Sequence, residues 1–459
     1  MRAAKRIVTA LAIAIASWSH TGAVERADGV TPVPFHELAE AVRADSIIDA
    51  LPGDLPDVVI DSASVERHFE PDAAEVFARE TITPDTLAYQ PLFPYHPKKK
   101  TDNTPDSLRK LNIVQKIVRY FDDANKPKTD KKFDITFVGG PSYSAATSVE
   151  LAAIGAGIYR TRRDGGITPE SDISLKLEGS VTGFYNVGVS GNHFGPGDRY
   201  RIIYDANFMH FPLDFWGIGY YNQSRDENKS KYTRLQADFK AEFQWRLPGH
   251  VYIGGGTYFL YGKATKVERP ELWEGQELRQ FNYGLGVLVS YDTRDNVNSA
   301  TRGVNLRLSH QFYPAFLFNK HHYMLTELTA GYYRTLWRGG VLAMQAHCAL
   351  TFGDTPWTAL PTLDQSGGIR SYYDGRYASS NEADIVVELR QKVWRRNGLV
   401  IWGGVGSVFH RVSEVTVRNL LPSIGIGYRW EFKRNTNVRV DIGLGRGSKA
   451  ISLGLHESF

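Results

Sequence analysis

Arg370 stands in the stretch GGIRSYYDGRY, residues 367–377. Gly367, Gly368 and Ile369 precede it, and Ser371, Tyr372 and Tyr373 follow. The combination gives a cationic, glycine-hinged, aromatic loop. A guanidinium is a permanently charged planar fork, so its use depends on which carboxylates surround it. The residue patterns of bond-making chemistry are missing elsewhere. There is no Gly-x-Ser-x-Gly elbow, no His-Glu-x-x-His and no phosphate-cradling glycine loop. The 13 histidines are scattered; His321 and His322 are adjacent and would face opposite sides of a strand, unable to share a metal. Cys348 is the only cysteine, so an intramolecular disulfide and a cysteine-based zinc site are both excluded. The sequence therefore calls for no catalytic residue, no metal and no cofactor.

Composition narrows the class. The chain has 459 residues, of which 42% are hydrophobic, 12% are aromatic and 43 are glycine. Its mean hydropathy is mildly polar. A helical membrane protein would be more apolar, whereas soluble all-β proteins and transmembrane β-barrels both have this composition, because barrel strands alternate apolar and polar residues. Residues 1–23 read as a secretory signal peptide, with Arg2, Lys5 and Arg6 ahead of an apolar run too short to span a bilayer. Removing those three cations takes the formal charge from +4 to +4 − 3 = +1. A near-neutral mature chain gives no argument for a nucleic-acid partner.

Residues 24–132 are punctuated by proline and show no sustained strand alternation; they read as a partly helical periplasmic extension. Near 106–122, Leu108, Leu111, Val114, Ile117, Val118 and Phe121 recur at helical spacing after a Thr-Pro-Asp start, predicting an amphipathic helix. From 133 to 459 the period changes to two. In TRLQADFKAEFQWRL, Leu235, Ala237, Phe239, Ala241, Phe243, Trp245 and Leu247 share one face, while the other carries Arg234, Asp238, Lys240, Glu242 and Arg246. A strand with lipid on one side and a wet lumen on the other has this pattern. Strand-like segments start near 134, 148, 172, 184, 199, 229, 251, 279, 303, 322, 340, 383, 399, 421, 437 and 449. The fold class expected is all-β: a transmembrane antiparallel β-barrel of about sixteen strands. Tight connections such as 248–250 and 395–398 alternate with long ones at 212–228, 263–278 and 352–382, which fits short periplasmic turns and long outer loops. Phe211, Phe215, Trp216, Tyr220, Tyr221, Tyr332, Tyr333 and Trp337 near strand ends read as interfacial girdle residues, or as ordinary β packing. At the end of the chain Ile451, Leu453 and Leu455 alternate with polar or small residues and Phe459 is last. A terminal aromatic on such a strand resembles the signal for outer-membrane insertion, although Glu457 departs from it.

Within that barrel pattern several stretches resemble the BamA/TamA superfamily, the bacterial surface-antigen barrels. FDITFVGGPSYSAATSVELAAIGAGIYRT resembles the family's first hairpin. YDTRDNVNSATRG resembles its periplasmic turn, through Asp292, Arg294, Asp295 and Gly303, with Ala300 where proline is usual. GGIRSYYDGRY resembles its Val-Arg-Gly-Tyr/Phe signature, with Ser371 in place of the glycine, and falls between the eleventh and twelfth segments, where the family has its sixth outer loop. The resemblance spans about 133–459. It implies residence in the outer membrane of a Gram-negative bacterium, in contact with its lipid, and a role in inserting or translocating client outer-membrane proteins or lipids. It also implies that the loop folds back into the lumen and that Arg370 pairs with acids on the wall. By strand parity Asp384, Glu388, Arg390, Arg439 and Asp441 face in; Glu388 and Asp441 are the partners selected. A solvated arginine in a surface loop is the other reading. The family's polypeptide-transport-associated domains have no counterpart in 24–132, so this resembles a short member. A passive pore or structural surface antigen is the alternative function.

Overall fold

The computed structural model describes residues 90–93, 133–144, 148–161, 168–363, 368–433 and 436–459. Gly367, the expected signal segment and the helix expected near 106–122 lie outside the described residues, as does the rest of the extension except 90–93.

Sixteen strands form one antiparallel sheet in simple up-and-down order. They are β1 (Phe133–Ser144), β2 (Ser148–Tyr159), β3 (Ser171–Ser180), β4 (Tyr185–Phe194), β5 (Tyr200–Phe215), β6 (Ser230–Leu247), β7 (Val251–Thr265), β8 (Arg279–Asp292), β9 (Gly303–Tyr313), β10 (Tyr323–Trp337) and β11 (Gly340–Gly353). After a long connection come β14 (Asn381–Trp394), β15 (Asn397–Phe409), β16 (Leu421–Lys433), β17 (Thr436–Gly445) and β18 (Ser448–Leu455). That connection contains a separate two-residue hairpin, β12 (Thr362–Leu363) with β13 (Tyr377–Ala378). The protein is an all-β barrel. Each strand lies close to where period-two alternation placed it, because one face must meet hydrocarbon and the other the lumen.

Burial follows the same parity. On β6, Phe239, Phe243 and Trp245 are exposed, while Glu242 and Gln244 are buried. On β14, Ile385 and Val387 are exposed, while Asp384, Val386, Glu388 and Arg390 are buried. The barrel is thus polar inside and apolar outside, the inverse of a soluble core. Connections at one end are short, as at 248–250, 338–339 and 395–396; those at the other include 216–229, 266–278 and 354–380. The short-turn end also receives the extension. Phe93 bridges Trp394 in parallel, and the Leu92 and Phe93 amides donate to the Lys392 and Val393 carbonyls at 2.9 Å.

The aromatic reading needs correcting in part. Tyr221, Tyr332 and Trp337 are exposed as girdle residues should be. Phe215 and Trp216 are buried, and Phe215 packs with Tyr232, Leu272, Trp273 and Trp357 in a cluster that ties the long loops together. Tyr333 is buried on the inner face beside Ala300 and Ala343. Proximity to a strand end fixes depth; parity and the loop above decide whether the ring meets lipid or protein.

At the seam, residues of β1 and β18 approach within 8 Å, Cα to Cα. The ladder runs unbroken from β1 round to β18, but among the described residues it has no rung between the two.

Candidate functional site

The loop between β11 and β14 leaves the long-loop end, enters the lumen and returns. Ile369, Arg370, Ser371 and Tyr372 are all fully or almost fully buried. Gly368 makes the bend with φ +111°, a conformation that favours glycine. Room for the loop comes from the facing wall. A Cβ on Gly443 of β17 would lie 2.3 Å from the Arg370 carbonyl oxygen, and one on Gly445 would lie 2.6 Å from the Tyr372 ring. A Cβ on Gly404 of β15 would be 3.0 Å from Ile369. Gly443 and Gly445 alternate along β17, so its inner face there carries no side chains and the loop packs directly against its backbone. The Tyr372 hydroxyl donates to the Pro422 carbonyl at 2.6 Å and accepts from the Arg446 amide at 3.0 Å.

Arg370 sits between both carboxylates selected by parity. Its Nη2 donates to Glu388 Oε1 at 2.5 Å, and its Nε lies 3.5 Å from Asp441 Oδ2. Its guanidinium carbon stands 4.3 Å from the centre of the Trp402 ring. The network extends further. Arg390 Nε donates to Glu388 Oε2 at 2.7 Å, and Arg429 Nη1 donates to Asp441 Oδ1 at 2.9 Å. Arg439 Nη1 is 3.6 Å from Asp441 Oδ2. Each carboxylate is shared among guanidiniums, which is how charge is tolerated away from bulk water.

The last residues complete this cluster. β18 ends at Leu455, and His456 adopts φ +63°, turning the chain inward. Glu457 Oε2 accepts from Arg429 Nε at 2.9 Å, Ser458 bonds Arg370 Nη1, and the Phe459 carbonyl accepts from Arg390 Nη2 at 2.9 Å. The Phe459 ring lies 5.1 Å from the Arg390 guanidinium and packs near Tyr333. Phe459 is therefore not on the lipid face of a terminal strand, whereas Ile451 and Leu453 are exposed there; the Leu455 side chain lies outside the described set. The misreading has a local cause. The spacing of apolar residues looks continuous, but the turn at His456 breaks the parity. Glu457, which departs from an insertion signal, is the residue the arginines hold. Burial alone would raise its pKa, yet the pull of Arg390 and Arg429 outweighs that and holds the carboxyl below its usual range.

The turn between β8 and β9 forms a second cluster at the short-turn end. Asp292 accepts from Arg294 Nε at 2.9 Å and from Arg201 Nη1 at 2.8 Å. Arg201 reaches Asp198 at 2.8 Å, so the β4–β5 turn is tied to the β8–β9 turn past the β6–β7 turn that lies between them. Asp295 Oδ1 accepts the Thr301 amide at 2.9 Å, closing the turn on itself. Gly303 has φ +107°, and a Cβ there would come 2.3 Å from the Thr293 carbonyl oxygen.

Residues 174–386 match the Omp85 superfamily domain, a span that includes the turn motif and Arg370. Residues 174–386 are an Omp85 superfamily domain, just under half of the chain. It is an outer-membrane β-barrel, and its exposed apolar band is the lipid-facing surface. Solved structures similar to it include BamA from Haemophilus ducreyi lacking POTRA domains 1–3, at 13% identity and TM-score 0.44, covering 71% of this chain and 69% of that one. CdiB from Acinetobacter baumannii matches at 10% identity and TM-score 0.45, covering 71% of this chain and 60% of that one. CdiB from Escherichia coli matches at 9% and 0.47, covering 71% and 62%. The matched region thus spans less than two thirds of each CdiB chain. No curated protein sequence matches the chain.

Proposed function

We propose that this chain inserts or translocates macromolecules at the outer membrane by opening the seam between β1 and β18. The observation that carries the reading is the missing rung there. In hydrocarbon an unpaired backbone polar group costs several kcal/mol, so every edge not joined within the barrel favours another strand. β1 has twelve residues and β18 eight, which leaves part of the β1 edge without a counterpart. A client strand would add to that edge through its main chain, a mode that tolerates many sequences. The clients are outer-membrane proteins or lipids. The anchored loop is the fixed element around which the seam moves: Arg370 holds the wall β14–β17 together from inside while the edge beyond it stays free.

A cysteine pair across β1 and β18 tests the reading, in a Cys348→Ser background that removes the native thiol. Oxidation should deplete the outer membrane of client proteins in cells that depend on this chain, and reductant should restore them. Equal support by the locked and reduced forms would contradict the lateral mechanism.

A further inference from the structure

A third charged cluster lies in the lumen, apart from the Arg370 network and from the β8–β9 turn. We propose that His347, Glu382 and Asp384 bind one divalent transition-metal ion. The sheet register builds the site. His347 on β11 is the direct cross-strand partner of Asp384 on β14, and Glu382 stands two residues along on the same inner face. His347 Nδ1 is 2.9 Å from Glu382 Oε2 and 3.7 Å from Asp384 Oδ2, and one donor atom from each residue lies within 4.8 Å of the others. An ion bound at about 2.0–2.2 Å by nitrogen and oxygen donors sets them roughly 3.3 Å apart in a tetrahedron. The two observed separations bracket that value.

The carboxylates themselves favour a cation. Glu382 and Asp384 are only 1% and 8% exposed. Each keeps an enclosed oxygen, Glu382 Oε1 and Asp384 Oδ1, with no hydrogen-bond donor. No described Lys or Arg pairs with either; His347 is their one basic neighbour. Two buried carboxylates side by side repel each other, and an unsatisfied charged oxygen is costly. A dication with a neutral imidazole balances both charges.

The donor set narrows the metal. One imidazole with two carboxylates and no thiolate suits zinc and its first-row neighbours better than calcium or magnesium, which take oxygen alone. Cys348 follows His347 on the strand and points to the other face, so it is no fourth ligand. The fourth side opens into a cavity of about 500 Å³, also lined by Glu327, Gln345 and Thr362. Thr362 belongs to the long loop, so a bound ion with its water would sit between the barrel wall and the underside of that loop. The histidine scatter in the sequence gives no hint of this, because the ligands meet only through strand register.

The test uses the full-length barrel, purified, stripped with chelator and titrated with zinc by calorimetry, with magnesium as comparison. One zinc per chain should bind, and magnesium should not compete. His347→Ala, Glu382→Gln and Asp384→Asn should each weaken zinc binding by more than the roughly 10–100-fold typical of outer-shell changes. Folding of each variant is checked by heat-modifiable mobility. If a variant fails to fold, the visible absorption of cobalt bound to the native barrel takes its place. Zinc binding equally tight in the folded variants, or a native barrel that binds neither zinc nor cobalt, would overturn the proposal.

Discussion

β14 carries two pairs of buried ionisable residues on one inner face, and they are handled in opposite ways. Toward the short-turn end, Glu388 and Arg390 join a cluster with Arg370, Arg429, Arg439, Asp441 and Glu457, where each acid has at least one guanidinium within ion-pair distance. Toward the long-loop end, Glu382 and Asp384 have only His347. The same strand and parity therefore give a neutralised anchor toward one end and, toward the other, an acid pair with a single imidazole. Burial of a carboxylate has no fixed consequence. The partner decides whether the charge becomes a structural clasp or stays open to a further cation.

The comparison breaks most visibly at Glu388. Two guanidiniums share it, so Glu388→Ala leaves Arg370 and Arg390 without their closest acid. Removing one member of a truly dry pair costs about 3–5 kcal/mol, and a lumen is wetter than a core, so the loss belongs at the lower end of that range. A fall in the temperature at which the barrel loses its folded, heat-modifiable mobility measures it.

Acid should act next, through the tail. Burial presses the His456 imidazole down to about 4, from a free value near 6.5. Its folded value is depressed, so its contribution is complete above about pH 6.5 and is lost as the pH falls toward 4. Glu457 is also depressed, so its contribution disappears at lower pH still, below the ordinary carboxylate range near 4.3. Both signs agree: acidification releases residues 456–459. Carboxypeptidase should trim the tail faster at pH 5 than at pH 7.5, with His456→Gln flattening the difference between them.

The smallest effect has the opposite sign. In metal-free protein Glu382→Gln relieves repulsion with Asp384 and leaves an amide that can donate, so stability should stay level or rise by up to about 1 kcal/mol. Thermal unfolding of the metal-free barrel checks the direction, and a loss comparable to that of Glu388→Ala would erase the contrast between the two ends of β14.

Much of this was legible in the sequence. Alternation located the strands, since a single register slip would turn Phe239, Phe243 and Ile385 into the lumen. Parity placed Glu388 and Asp441 on the inner face that Arg370 reaches. Other features needed the fold. The i, i+2 glycines Gly443 and Gly445 mark the face of β17 against which the loop packs, but residue type alone does not say what fills the space. His347 and Glu382 meet only through the β11–β14 register. Phe459 was misplaced because one left-handed residue, His456, undoes an alternation that looks unbroken.

The central claim is that Arg370 holds the loop inside the barrel, and trypsin added outside intact cells tests it most directly. Arg376 lies a few residues beyond Arg370, with its own side chain against Trp216 and Asp226. In the native protein the loop should resist cleavage after Arg376. In Arg370→Ala the loop should detach, and a fragment beginning at Tyr377 should accumulate at least about tenfold faster, the ratio expected for an anchor worth roughly 1.4 kcal/mol or more. Equal resistance in the two proteins, or equally fast cleavage in both, would contradict the account.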